Sequence, residues 1–419
     1  MSTADLRDRV GKKAKLPFVV VLLAIGTFLM STTEFVIAGL LPDLASDLDV
    51  SVAQAGLLIT AFAIGMIVGA PTLSVFTARM PRRLTLVLSL VIYAVGHLVA
   101  ALSASFEVVL VARVITALAT GAYLAVAAVV ATSAAGPGNG SRAMGVMMSG
   151  MGLAIVAGVP LGSFAGQAIG WRGIFWALTV LAALTAVVIA RFAPAETEQQ
   201  VVTLRSQLGV LWEGKLWLVL AATALVSGGF LAAYSYISPL LTGRTGISET
   251  AVPLLLVGFG VGAVAGTNLA GRFGDRGPLR TYFAIAGGSG LVLLLLVPMS
   301  TLMVPTAILV VLLGFTGLGV TAIATPLSVR FGHSGPSLAS ALTVSAFNVG
   351  IAAATWLAGV ALESPLGLTG PSIVGAVMAL LGLIPLGILA IMRATHGTAA
   401  PEPGLQPREE LTLERDLLV

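Results

Sequence analysis

The chain has 419 residues, 57% of them hydrophobic and 10% charged, with a mean hydropathy of +1.03. Soluble domains carry about 25% charged residues, so a water-soluble fold is excluded, and the 49 glycines recur without the period a collagen needs. A net charge of +4 and a pI near 9.7 point to nucleic acid only where cations gather on one soluble face, and here they do not. The sequence contains no cysteine, which removes disulfides, thiolate catalysis, iron–sulfur clusters and cysteine zinc sites together. What remains is a polytopic, all-α membrane protein.

A crossing takes roughly 20 apolar residues, and the apolar runs predict twelve. Residues 1–16 form an N-terminal arm with five cations, Arg7, Arg9, Lys12, Lys13 and Lys15. Spans are expected near 17–41, 54–76, 84–103, 107–131, 143–167 and 173–191, a six-helix bundle over 17–193. A polar linker at 194–215 has room for a short surface helix. The second set is expected near 216–241, 251–271, 281–299, 303–326, 338–361 and 371–393, a second six-helix bundle over 216–393. The Pro- and Glu-rich segment 394–419 has the composition of a disordered tail. The first apolar run is too long for a cleavable signal peptide.

Positive residues mark the cytoplasmic loops of a membrane protein. Nineteen of the 22 lysines and arginines fall on the arm, on alternate loops and on the tail, whereas the opposite loops keep only Arg172 and Arg244. Both termini are therefore expected in the cytoplasm, and an even number of crossings agrees with their lying on one side. The halves also repeat. The offset from Arg79 to Arg276 is 197, as it is from Arg83 to Arg280 and from Gly162 to Gly359. Parallel six-span repeats place a substrate site between the halves near the bilayer midplane.

With these motifs the chain resembles the major facilitator superfamily across its twelve spans. The family pattern Gly-x-x-x-Asp-Arg-x-x-x-Arg stands whole in the second half as Gly271, Asp275, Arg276 and Arg280. The first half departs from it, with Ser74, Ala78, Arg79 and Arg83 at those places. The resemblance implies a conformational latch of acid, arginine and helix ends, built from Arg79, Arg83, Gly271, Asp275, Arg276 and Arg280 and lacking its first-half acid. LVARVITALATGAY in the fourth span is similar to the family's arginine motif, with Arg113 in the arginine place. GMGLAIVAGVPLGSFAG in the fifth is similar to the drug antiporter motif, in which Gly158, Pro160 and Gly162 serve close packing and bending. TEFVIAGLLPDLA, GWRGIFW and ALTVSAFNVGIAAATWLAG bring the resemblance to the bacterial drug:proton antiporter branch. That branch holds arabinose-induced and purine efflux proteins and actinobacterial chloramphenicol exporters. It implies a monomeric, multi-pass efflux transporter of the cell inner membrane that exchanges a small amphipathic molecule, a phenicol first, for protons.

Glu34 and Arg113 are the charged residues placed well inside the predicted spans. Each costs roughly 2.5–3.5 kcal/mol to insert, so each needs a partner or a wet cavity. Both lie about 10 Å from the outer ends of their predicted spans at 1.5 Å per residue. Two readings stand. Burial and a nearby guanidinium act oppositely on a carboxylate, so a changing Glu34–Arg113 separation would switch proton affinity and couple transport to protons. Alternatively, a fixed pair staples two helices. Tyr123, Tyr234, Tyr236 and Asn348 are candidate substrate contacts, with interfacial belts or interhelical hydrogen bonds as the structural alternatives. His97 is a proton relay or a packing histidine. No phosphate-cradling loop and no acid–base or metal constellation is present in the sequence, so neither an enzyme nor a cofactor is expected. Export of sugars or nucleobase metabolites, or uncoupled passage, remains as the alternative function.

Overall fold

The computed structural model describes residues 16–76, 80–136, 139–193 and 208–397, and every regular element among them is helical. The N-terminal arm up to residue 15, linker residues 194–207, the tail beyond 397 and the latch candidate Arg79 lie outside the described residues. The first four crossings are Phe18–Asp47, Val52–Phe76, Arg82–Leu102 and Phe106–Ala134. Gly140–Phe192 follows as one 53-residue apolar helix. At 1.5 Å per residue it is about 80 Å long, twice the requirement of a bilayer. Gly170 divides it at φ 73°, ψ 163°, a conformation essentially confined to glycine. Among the described residues, the eleven long apolar helices therefore make twelve crossings.

The second half is more broken. Its seventh crossing joins Gly214–Ser235 to Ile237–Gly243 with the kink at Tyr236. The eighth, ninth and eleventh are Val252–Arg276, Pro278–Met299 and Pro336–Leu362. The tenth joins Met303–Gly317 to Gly319–Phe331, and the twelfth Gly370–Leu381 to Leu383–Gly397. The described part of the linker forms a single 3-10 turn, Leu208–Trp212. Both described ends of the chain lie at one end of the bundle, here the terminal end; the opposite end is the distal end.

Two local features follow directly from sequence. Pro160 lacks an N–H, and its ring crowds the carbonyl four residues earlier, at Val156. The fifth crossing carries a π-helical turn at Ala154–Gly158 just before Pro160, the single-turn form in which π-helix occurs inside α-helices. Glycines at four-residue spacing then bring this crossing onto the first. A β-carbon at Gly158 would lie 3.2 Å from the Phe28 ring, and one at Gly162 would lie 2.7 Å from Val36.

The first helix runs to Asp47, six residues past its expected end. Its distal end is clamped: Trp171 Nε1 donates to Asp47 at 2.9 Å, Arg172 pairs with the same carboxylate, and Arg172 Nη2 donates to Ser103 O at 2.9 Å. Glu34 consequently lies thirteen residues from the helix end, about 20 Å along the helix. The halves meet where the second crossing packs on the eleventh, the first on the seventh, and the π turn of the fifth on the eighth.

Candidate functional site

Successive helical residues are 100° apart, and this splits Thr33 from Glu34. Glu34, Phe35 and Ala38 face the seam between the halves. There they line a cavity with Ile59, Phe62 and Ala63 of the second crossing, Leu231, Tyr234 and Ser235 of the seventh, and Asn348 and Ile351 of the eleventh. Glu34 is half-buried and makes no hydrogen bond or ion pair with any described residue. Asn348, 2% exposed, spends its Nδ2 on Val344 O at 3.0 Å and leaves Oδ1 without a partner. Tyr234 crosses the seam. Its hydroxyl donates to Phe35 O at 3.3 Å, and its ring lies 4.4 Å from that of Phe259. The cavity volume is about 10 Å³, room for roughly one water and far below the roughly 300–1,000 Å³ of ligand sites. The chain is therefore seen closed around its central polar groups.

Thr33 points into the first bundle instead. Its hydroxyl accepts from Arg113 Nη1 at 2.9 Å and lies 2.7 Å from His97 Nε2, while His97 Nδ1 lies 2.8 Å from Tyr93 O. Arg113, 1% exposed, also donates Nε to Leu58 O at 3.3 Å and stands 4.3 Å over the Phe62 ring. Its Nη2 has no partner. Glu34 and Arg113 lie within each other's electrostatic field, but they form no ion pair. Arg113 is held by a neutral hydroxyl, a backbone carbonyl and an aromatic face, which leaves the carboxylate free at the seam.

The fold agrees with the comparisons to known proteins. The Major Facilitator Superfamily model matches residues 23–329. The chain belongs to the major facilitator superfamily. As a facilitator it is a multi-pass membrane transporter and not an enzyme. It is 36% identical to the chloramphenicol resistance protein of Streptomyces lividans, over 92% of this chain and 99% of that protein. It is 31% identical to the inner membrane transport protein YdhP of Escherichia coli K12, over 88% of this chain and 95% of that one. The "Probable sugar efflux transporter" of Pasteurella multocida is 29% identical over 91% of this chain and 94% of its own length. A bacterial homologue of the lysosomal transporter Spinster, solved inward-facing and unoccupied, shares the fold at a TM-score of 0.71 and 16% identity, covering 92% of this chain and 98% of that structure.

Not every candidate of this facilitator reaches the seam cavity. Tyr123 is sealed inside the first bundle, its hydroxyl donating to Leu23 O at 3.1 Å. Tyr236 sits distal to the cavity. Its hydroxyl donates to Thr355 O at 3.1 Å and abuts Gly56 of the second crossing, so its ring wedges between the halves. Ser51 Oγ donates to Glu363 at 2.8 Å and Gln167 Nε2 to Glu249 O at 2.7 Å, two further ties across the seam at the distal end. Among the latch candidates, Gly271, Asp275 and Arg276 end the eighth crossing, Arg280 opens the ninth and Arg83 opens the third. Asp275 makes no ion pair with a described residue. Gly158 ends the π turn, Pro160 follows it in the next helical turn, and Gly158 and Gly162 face the first crossing. Thr33, Phe62 and Phe259 were not singled out from sequence; only the polar triplet Thr32-Thr33-Glu34 within an apolar span hinted at the first.

Proposed function

We propose that this facilitator is a proton-coupled exporter in which Glu34 carries the proton and the closed seam cavity is the collapsed substrate site. One observation supports this most: a carboxylate without a partner on the wall between the halves, beside Tyr234 and Asn348. An intramembrane acid is expensive and functional by default. A staple role for Glu34 would need an ion pair, and Arg113 makes none with it. Protonation removes the charge that disfavours closure of an apolar seam, whereas deprotonation favours a wet, open one. Substrate and proton then compete for the same wall. Exchange in opposite directions follows from that competition, with both termini in the cytoplasm and the single chain acting alone.

The wall chemistry fits a neutral molecule with an apolar ring and a donor for Asn348 Oδ1. A phenicol is the first choice, in keeping with the name of the Streptomyces relative. The sugar efflux relative favours a second reading, a hydroxyl-rich sugar, and nucleobase metabolites share its donors. Accumulation of labelled chloramphenicol by inside-out membrane vesicles separates these readings. Uptake driven by an imposed proton gradient, and abolished by Asn348→Leu together with Tyr234→Ala, is the expected result. Uptake of sugars alone would replace the substrate, and equal uptake without a gradient would replace coupling by passive facilitation.

A further inference from the structure

A second cavity lies away from the seam, inside the second bundle at its terminal end. Its volume is about 310 Å³, and it is lined by Lys215, Pro278, Leu279, Leu327, Arg330, Phe331, Leu389 and Arg393. These residues come from the start of the seventh and ninth crossings and the end of the tenth and twelfth. On the same measure the seam cavity holds about 10 Å³, so this is the larger void, and it reaches the lower bound of ligand-sized clefts.

Its three ionisable wall residues are all cations. None of Lys215, Arg330 and Arg393 makes a hydrogen bond or ion pair with a described residue. Like charges around one void repel, an arrangement that an anion relieves. The ninth crossing adds to the field. Pro278 and Leu279 open a 22-residue helix whose cap, Gly277, has no side chain to satisfy the first-turn amides, and the positive end of a helix dipole favours an anion. The other five wall residues are apolar, and Leu279, Leu327 and Leu389 are buried. Charge on the rim and hydrocarbon below suit an amphipathic anion. Basic pockets between transmembrane helices are where anionic head groups bind.

We propose that this cavity binds a phosphate group, carried by an anionic phospholipid of the leaflet at the terminal end. Arg330 and Arg393 offer paired N–H donors to phosphate oxygens, Lys215 adds a point charge, and the leucines receive the first methylenes of an acyl chain. Bound lipid would tie four crossings of one bundle together without touching the seam.

The test is thermal unfolding of the purified full chain in detergent with phosphatidylglycerol, phosphatidylcholine or inorganic phosphate added. Phosphatidylglycerol should raise Tm by a few degrees and phosphatidylcholine should not. The rise should vanish in Arg330→Gln/Arg393→Gln. It should shrink but not vanish in Arg330→Lys/Arg393→Lys, which keeps the charge and loses the paired donors, and persist in full in Arg142→Gln/Arg191→Gln, which removes equal charge elsewhere at that end. An equal rise with inorganic phosphate would keep the site and overturn its lipid source. Equal stabilisation by both lipids, or a phosphatidylglycerol effect unchanged in Arg330→Gln/Arg393→Gln, would overturn the site. So would a lowered Tm on neutralising Glu402, Glu409, Glu410, Glu414 and Asp416 in lipid-free detergent, with no response to phosphatidylglycerol, which would seat the chain's own acidic segment there.

Discussion

Thr33 and Glu34 are neighbours in the chain and belong to different chemistry. The 100° turn between them sends the hydroxyl inward to Arg113 and His97 and the carboxylate outward to the seam. Thr33 thereby keeps Arg113 away from Glu34 while leaving it close enough to influence the acid. Thr33→Val removes the acceptor of a buried charged donor, so it should cost about 1.5–3 kcal/mol and lower Tm accordingly, whereas Thr33→Ser should preserve both. A Thr33→Val variant as stable as wild type would show that Arg113 is held by Leu58 O and Phe62 alone. Arg113→Ala, which removes the charge itself, should displace the pH profile of transport; an unchanged profile would end the idea that the guanidinium tunes Glu34.

At the level of helices, close approach is what glycine permits. Gly260 of the eighth crossing packs on the π turn of the fifth, where a β-carbon would lie 2.6 Å from Ile155 O and 2.7 Å from the Val156 backbone. Backbone cannot give as a side chain can. Gly260→Ala should therefore push the halves apart or strain the turn, at about 1–3 kcal/mol, and slow transport roughly tenfold. Wild-type turnover would mean that the two crossings do not stay in contact during transport. The crossings themselves were legible from apolar run length. The rotation of each helix was not. A crossing that is apolar on every side carries no stripe to mark its inner face, so sequence could not separate Tyr234, at the cavity, from Tyr123, locked onto Leu23. The distal extension of the first helix to Asp47 was not legible either, because the Asp47–Trp171–Arg172 clamp at its end joins residues 124 and 125 positions apart.

For the whole molecule, the distal end is tied across the seam by Ser51–Glu363 and Gln167–Glu249 and wedged by Tyr236. The latch sequence Asp275-Arg276 lies at the other end. Opening one end requires closing the other when two rigid bundles rock about a central site. Asp275→Asn or Arg276→Gln should therefore slow turnover about tenfold while leaving equilibrium substrate affinity within about twofold, since neither residue lines the seam cavity. Parallel loss of affinity and turnover, together with a lowered Tm, would indicate damage to the fold instead. The second cavity belongs to one bundle only, so loss of its anion should affect stability before it affects exchange.

Exchange of a proton for substrate at Glu34 can be followed in proteoliposomes. Chloramphenicol added to wild-type vesicles loaded with a pH-sensitive dye should drive proton movement that scales with drug flux, and Glu34→Gln should abolish the proton signal. Proton movement in Glu34→Gln equal to wild type would contradict the account and place coupling elsewhere in the chain.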